Sequence, residues 1–213
     1  MDQQSDRRKV IAFLAVVVPV LIGIAIVVVG HFAGHETEIA KPRESTEIER
    51  EVAAAPAATG TPAPRVRLHE GASGKSFDSS SLGSEPFAVV FISTDCEAIG
   101  KFLGSAIAEL RDDGTRAAVL AISADPTLDT SKAVAAYLAK HHLKGAPFHY
   151  LAGAEDELHG YWHAWGLTDP SPTCTDSVPA HLVNGSGENA GIIDLEPQEQ
   201  TSILTDALAA MSK

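Results

Sequence analysis

Two cysteines are the residues of this 213-residue chain best suited to covalent or metal chemistry. They are Cys96 and Cys174, and a thiolate is both a nucleophile and a metal ligand. The residues after Cys96 have the apolar spacing of a helix, and a helix N-terminus lowers the pKa of a nearby thiol. Asp95 and Glu97 flank Cys96, and their negative charge opposes that effect. The sequence leaves the balance between the two effects open.

Two further pairs of polar residues have spacings that metal sites use. His159 and His163 lie four positions apart on a predicted helix, so both imidazoles share one face and could chelate a metal. The tryptophans beside them favour a packing role for that helix. Asp125 and Asp129 fit an Asp-Pro turn and a helix cap better than a cation site. The sequence has no phosphate-binding glycine loop, nucleophilic serine motif or zinc signature.

Strand-like and helix-like segments alternate from Arg65 onwards. Continuous apolar, β-branched runs predict buried strands, and apolar residues at helical spacing predict amphipathic helices. Gly185-Ser186-Gly187 predicts a hairpin between the last two strands. The predicted strands span 87–93, 116–123, 148–151, 180–184 and 190–194, and the predicted helices lie at 97–111, 129–143, 155–165 and 203–211. This order predicts an α/β, thioredoxin-like domain with a central mixed sheet and helices on both faces.

Residues 10–30 predict one N-terminal transmembrane helix. These 21 residues carry no charge and would span about 30 Å as a helix, which matches a hydrocarbon core. A cleaved signal peptide would have a shorter apolar region and a small-residue cleavage site, so an uncleaved anchor is the better interpretation. The basic residues at 7–9 place the N-terminus in the cytoplasm and the rest of the chain outside the membrane. The predicted organisation is a cytoplasmic N-terminus (1–9), a transmembrane helix (10–30), a flexible linker (31–64) and a thioredoxin-like domain (65–213).

The charge balance limits the partners. The chain carries 28 acidic and 16 basic residues, a formal net charge of −12. This excess argues against nucleic acid and anionic lipid headgroups as partners. On the outer side of the membrane, a disulfide between the two cysteines would persist.

Three segments resemble the SCO/SenC family. They are Val89–Cys96 (VVFISTDC), Ala121–Leu138 and Tyr150–Leu167, and the most specific element is the Ser-x-Asp-Pro-x-x-Asp-Thr run at 123–130. The resemblance covers most of residues 65–195. It implies a membrane-anchored thioredoxin fold and a copper chaperone or thiol protein that helps to assemble the copper centre of cytochrome oxidase. The implied partner on the outer face is an oxidase subunit or a thiol protein.

The chain departs from the copper site that this resemblance implies. Members of the family carry two cysteines separated by three residues, and a distant histidine before a late strand. Cys96 matches the first cysteine, but Gly100 and Asp176 stand at the other two positions. Cu(I) favours thiolate ligands, so one thiolate by itself does not make a tight, selective site. The local resolving thiol for disulfide exchange is also missing.

Cys174 lies two residues before the position of the missing histidine. In a thioredoxin-like fold, that loop faces the start of the first long helix, where Cys96 lies. Three alternatives follow: a structural disulfide, a redox-active or copper-binding thiol pair, and two cysteines that never meet. His181 is a candidate substitute copper ligand. Pro179 stands where wider thioredoxin-like proteins carry a cis-proline, and is a candidate groove residue beside Cys96.

The favoured hypothesis is an SCO-like accessory of oxidase assembly or thiol redox handling, with its copper ligands only partly retained. One alternative is a non-catalytic thioredoxin-like module that binds a partner and holds a structural disulfide. The other is a thiol oxidoreductase of the TlpA or peroxiredoxin type acting through Cys96. Copper is the cofactor that the resemblance suggests, although the ligand set is incomplete.

Overall fold

The computed structural model describes residues 58–168, 177–198 and 201–212. The predicted cytoplasmic segment, the predicted transmembrane helix and most of the predicted linker lie outside these residues, as do Cys174 and Asp176. Within the described ranges, no helix is long and apolar enough to cross a membrane.

The described residues form a mixed sheet in the order β2-β1-β5-β4-β3-β6-β7. The three central strands, β3 to β5, are parallel, and the others pair antiparallel. Because parallel strands carry helices on both faces, β3 and β4 are buried along their whole length. The strands are β1 (Arg67–Glu70), β2 (Ser76–Asp78), β3 (Phe87–Ile92), β4 (Ala118–Ser123), β5 (Phe148–Ala152), β6 (Val178–Val183) and β7 (Asn189–Leu195).

Four α-helices are described: α1 (Glu97–Asp112), α2 (Ser131–Lys140), α3 (Glu155–Ala164) and α4 (Ser202–Met211), together with a 3₁₀ helix at Ser79–Leu82. Thr130 caps α2, because its hydroxyl accepts from the backbone N–H of Ala133 over 3.3 Å. Acidic residues fill the first turn of α3, where the helix dipole favours negative charge.

The core has two layers, one on each face of the sheet. Alternate residues of β3 separate them, since Ala88 and Val90 belong to one cluster and Val89 and Phe91 to the other. The first cluster also holds the buried residues of α1, α2 and α4, and it includes Cys96. The second holds Leu158 and the two tryptophans at 162 and 165. Cys96 and the two tryptophans therefore lie on opposite faces of the sheet.

The structure has an N-terminal hairpin, β1 and β2, that the sequence pattern does not predict. The strands β1 and β2 are only four and three residues long, too short for a periodic signal, and they pair through Leu68 opposite Phe77. The end of the predicted linker also contacts the domain. The backbone N–H groups of Gly60 and Ala63 donate to the carbonyls of Asn189 (2.7 Å) and Gly187 (2.9 Å), beside the β6–β7 turn.

Candidate functional site

Cys96 is the N-cap residue of α1. Its exposed fraction is 0 %, and no cysteine among the described residues is free. The backbone N–H of Ser93 donates to Sγ over 3.4 Å, and the Ser93 hydroxyl lies 3.6 Å from the same sulfur. The segment between β3 and α1 therefore holds the sulfur inside the protein.

Asp129 anchors that segment to the core. Its Oδ1 accepts from the backbone N–H of Thr94 over 2.7 Å, and its Oδ2 accepts from the hydroxyls of Ser123 (2.6 Å) and Tyr150 (2.8 Å). The residue is only 5 % exposed, so these donors replace water around the carboxylate. Asp129 thus fixes the backbone that leads to Cys96.

Two buried phenols donate hydrogen bonds around Cys96. Tyr150 donates to Asp129, as described, and Tyr137 donates to the backbone carbonyl of Cys96 over 3.0 Å. Burial is the largest cause that raises the pKa of each phenol. Both hydroxyls therefore keep their protons at neutral pH and act as donors.

Gly100 lies one turn after Cys96, and its surroundings leave no space for a side chain. A Cβ at this position would lie 2.5 Å from the hydroxyl oxygen and 2.7 Å from Cζ of Tyr137, and 2.8 Å from Cδ2 of His141. Gly104, one turn further, is similar, because its Cβ would overlap the backbone carbonyl oxygen of His141. A glycine inside a helix costs roughly 1 kcal/mol relative to alanine. The close approach of α1 to the end of α2 accounts for both glycines.

His141 forms one wall of this contact. Its ring is 8 % exposed and lies 4.6 Å from the Tyr137 ring, between centroids. Nε2 lies 3.2 Å from Oε2 of Glu97 but lacks hydrogen-bond geometry. Burial lowers the pKa of His141, and the nearby Glu97 carboxylate offsets this only in part. The ring is therefore neutral at neutral pH and acts as a packing surface.

Glu97, on the surface beside Cys96, pairs with a lysine of α2. Lys140 Nζ lies 2.6 Å from Oε1 of Glu97, and this hydrogen bond is the main cause that lowers the pKa of the carboxyl group. The negative charge next to Cys96 is thus partly balanced by Lys140.

His181, the candidate substitute ligand, lies on the other face of the sheet from the Cys96 cluster. It pairs with Val89 across β6 and β3, and its ring packs against Phe91 (6.2 Å) and Trp165 (5.3 Å). Burial lowers the pKa of His181. The structure therefore does not bring His181 and Cys96 together.

The expectation of a cis bond before Pro179 is wrong. The cis peptide bond within the described residues is Ala146–Pro147, so Val178–Pro179 is trans. Pro179 stands inside β6, opposite Asp194 of the neighbouring edge strand. The pairing of β6 with β3 begins at Ala180, so Pro179 lies just outside that ladder. A proline, which has no backbone N–H, is tolerated at such a position.

The remaining polar candidates have structural surroundings. Asp125 caps its turn, because its carboxylate accepts from the hydroxyl (2.6 Å) and the backbone N–H (2.9 Å) of Thr127. The Thr127 hydroxyl is the main cause that lowers the pKa of Asp125. His159 is half-exposed, lies 3.8 Å from Glu155 and packs its ring on Trp162. His163 lies on the same exposed side of α3.

The SCO1/SenC family profile matches residues 70–209, about two thirds of the chain. The chain belongs to the SCO1/SenC family. This confirms the resemblance carried by the segments around Cys96 and the 123–130 run. No curated protein sequence matches the chain.

Solved structures of this family and of thioredoxin-family proteins share the fold. BsSco, described as a Sco-family cytochrome c oxidase assembly protein with a disulfide switch, is 16 % identical, with a TM-score of 0.58 over 73 % of this chain and 96 % of its own. Copper-bound yeast Sco1 is 16 % identical, with a TM-score of 0.55 over 72 % and 93 %. A thioredoxin-family thiol:disulfide interchange protein from Chlorobium tepidum is 16 % identical, with a TM-score of 0.55 over 75 % and 100 %. The domain is therefore thioredoxin-like, as predicted.

The described residues of this SCO1/SenC member do not fit a copper ion. They supply one thiol sulfur, that of Cys96, which is buried and not free. No group of three or more His, Cys, Asp or Glu side chains in the described ranges is arranged to hold a metal. The second cysteine position is Gly100, where even a methyl group would overlap Tyr137. A soft cation that favours two thiolates has no second ligand on α1.

Sequence reasoning identified Cys96 and Gly100 but missed the residues that surround them. Tyr137 and His141 both fall within the predicted helix at 129–143, where the sequence marks neither as a neighbour of Cys96. The signal available was the pair of glycines at 100 and 104, spaced four apart inside a predicted helix. Such spacing indicates a close backbone approach to another element.

Proposed function

We propose that this chain is a membrane-anchored accessory protein of the SCO1/SenC family that acts in oxidase assembly by binding a protein partner and does not carry copper. The membership of the family and its oxidase-assembly relative support the assembly role. The geometry around Cys96 supports the loss of copper carriage. We place the domain outside the membrane on the charge pattern of residues 1–30.

One observation carries the proposal. Position 100, which would supply the second thiolate, is closed by Tyr137, whose hydroxyl is bonded to the carbonyl of Cys96. A copper chaperone must bind its cargo and also release it, which requires an accessible ligand set. A sulfur with no exposed surface and no neighbouring thiol on its helix does not supply one.

We further propose that Cys96 and Cys174 form a structural disulfide. Cys96 is not free, and Cys174 is the only other cysteine of the chain. A disulfide that closes so long a loop is expected to stabilise the fold by about 4 kcal/mol, largely by restricting the unfolded chain. Its role is then to hold the loop before β6 against the start of α1.

A second candidate is thiol–disulfide exchange with the same pair. The backbone N–H of Ser93 donates to Cys96 Sγ over 3.4 Å and would stabilise a thiolate there, whereas the Ser93 hydroxyl donates its proton to Asp95. In this case, a partner dithiol would be oxidised to a disulfide while the Cys96–Cys174 bond is reduced to two thiols. The full burial of the sulfur disfavours this alternative.

The test uses the full-length protein in detergent. Thiols are counted in denaturant before and after reduction, and the reduced native protein is then mixed with Cu(I) and a coloured chelator that competes for the ion. Cys96→Ser and Cys174→Ser are measured in parallel. We expect two thiols only after reduction and no Cu(I) withheld from the chelator. Tight Cu(I) retention that Cys96→Ser abolishes would contradict the proposal.

Exchange activity is measured separately with a model protein disulfide and a dithiol reductant. We expect the parent and both cysteine variants to match the uncatalysed rate. A rate increase that is lost in Cys96→Ser would replace the first proposal with the second. Co-purification of oxidase subunits with Cys96→Ser as well as with the parent would support partner binding that does not require the thiol.

A further inference from the structure

The close contact between α1 and α2 determines what Cys96 can pair with. Tyr137 and His141 lie one turn apart on α2 and its end, with their rings 4.6 Å apart, and both face Gly100. We propose that these two side chains form a plug that occupies the place of the second thiol of the family's site, and that this plug excludes a second thiolate at position 100 of α1. The inference rests on the proposed function and specifies how the site is closed.

The plug is bonded to the first turn of α1. The Tyr137 hydroxyl donates to the carbonyl of Cys96 over 3.0 Å, and the backbone N–H of Gly100 donates to the same oxygen over 2.9 Å. The phenol is therefore fixed across the first turn of α1 and is not a side-chain end that moves aside easily. Both rings are nine-tenths or more buried, so neither has solvent to move into.

The backbone reinforces this arrangement. The overlap at Gly104 involves the main-chain carbonyl of His141, which cannot rotate away as a side chain does. The end of α2 is thus seated against α1 at two successive turns. A cysteine at position 100 would push apart the two helices as well as the two rings. Restoring the thiol alone is therefore insufficient to restore a copper site.

The stability test compares two glycines that both lie within α-helices. At Gly100 a Cβ would overlap the plug, whereas at Gly160 of α3 a Cβ would have nothing within 4 Å. Gly160→Ala is expected to raise the thermal midpoint of the full-length protein by roughly 2 °C, as glycine replacement in an open helix does. Gly100→Ala is expected to lower the midpoint by roughly 5 °C or more, because overpacking outweighs that gain.

Removing the plug should abolish or reverse the fall in the thermal midpoint that Gly100→Ala causes. In a Tyr137→Ala/His141→Ala background, Gly100→Ala is expected to leave the midpoint unchanged or to raise it. If Gly100→Ala behaves like Gly160→Ala in the parent chain, the plug does not exist and the inference is wrong. This parent comparison decides the question even where the double variant fails to fold.

Copper binding provides the functional readout. Reduced Gly100→Cys is expected to withhold no Cu(I) from the competing chelator, whereas Gly100→Cys in the plug-free background is expected to withhold about one ion per chain through two thiolates. Ala98→Cys, on the exposed side of the same turn, controls for a thiol added without the contact. Tight binding by Gly100→Cys alone overturns the inference. Tight binding by the parent instead overturns the proposed function, while the midpoint comparison still tests the plug.

Discussion

Two regions border Cys96, and they resemble the family to different extents. The β4–α2 loop, residues 123–130, keeps the polar run that resembles the family, and Asp129 still ties this loop to the backbone before Cys96. The first turns of α1, residues 97–104, hold Gly100, packed under Tyr137, at the position where the family resemblance implies a cysteine. The scaffold that positions the first thiol is thus kept where the second ligand is not.

This difference teaches that a positioning network and a ligand set can be separated. Asp129 is buried and satisfied by donors from three elements, so its loss affects the whole fold. The ligand at position 100 would contribute chemistry but little stability. Under the proposed function, which needs no copper ligand at position 100, the fold still needs the Asp129 network.

The largest effect is expected from the positioning network. Asp129→Ala leaves the Thr94 N–H and the Ser123 hydroxyl without their acceptor in the core, whereas the Tyr150 hydroxyl keeps the Ile92 carbonyl at 3.1 Å. We expect a loss of roughly 3–5 kcal/mol in the free energy of unfolding, since each unsatisfied buried group costs about 1–3 kcal/mol. Urea unfolding followed by circular dichroism measures this loss. Asp206→Ala, at an exposed position on α4, is the matched control and is expected to change stability by less than about 0.5 kcal/mol.

An Asp129→Ala variant as stable as the control would mean that the network is not needed to hold the Cys96 segment. The contrast between the two regions would then disappear. Ser123→Ala, which removes only one donor, is expected to fall between the two variants.

A smaller, pH-dependent effect on stability is expected from one buried histidine on each face of the sheet. Burial lowers the pKa of His141 on one face and of His181 on the other. Below the ordinary histidine pKa of about 6.5, the unfolded chain therefore binds more protons than the folded protein does. Stability from these two groups is therefore fully present above pH 6.5 and is lost as pH falls below it. The loss is at most about 1.4 kcal/mol per histidine and pH unit.

Thermal midpoints between pH 7.5 and 5 measure this effect. His181→Gln and His141→Gln are each expected to flatten the slope, whereas His159→Gln, at a half-exposed position on α3, is expected to leave it unchanged. A flat parent profile across this range would show that neither buried imidazole resists protonation. If only His141→Gln flattens the slope, the pH dependence of stability comes from the histidine beside Cys96 alone.

Much of the fold follows from the sequence, because the central strands have a pattern that admits few alternatives. Phe87–Ile92 and Ala118–Ser123 are unbroken apolar runs, which fit only strands covered on both faces. The N-cap position of Cys96 also followed, since the apolar spacing of α1 begins directly after it. The short β1 and β2 strands had no such signal.

The site was predicted less well, because it depends on contacts between elements. That position 100 lacks a cysteine is legible in the sequence, but that Tyr137 fills the space depends on how closely α2 approaches α1. The alternation of β6 predicts that His181 is on one face, but only its register with Val89 decides which face. No residue pattern in the sequence decides the isomer of the bond before Pro179, which is trans in the structure.

The smallest effect is expected from the surface ion pair beside residues 97–104. Lys140→Ala breaks the 2.6 Å pair with Glu97 beside Cys96, but both side chains are more than half-exposed. Exposed pairs contribute about 0.5 kcal/mol or less, so the midpoint should fall by no more than roughly 2 °C, and added salt should reduce the difference. Lys132→Ala, at an exposed position of the same helix, is the control. A fall in the midpoint of Lys140→Ala as large as that of Gly100→Ala, and reduced by salt, would contradict this expectation. It would mean that the charged pair, and not the packing of the two rings, closes the first turn of α1.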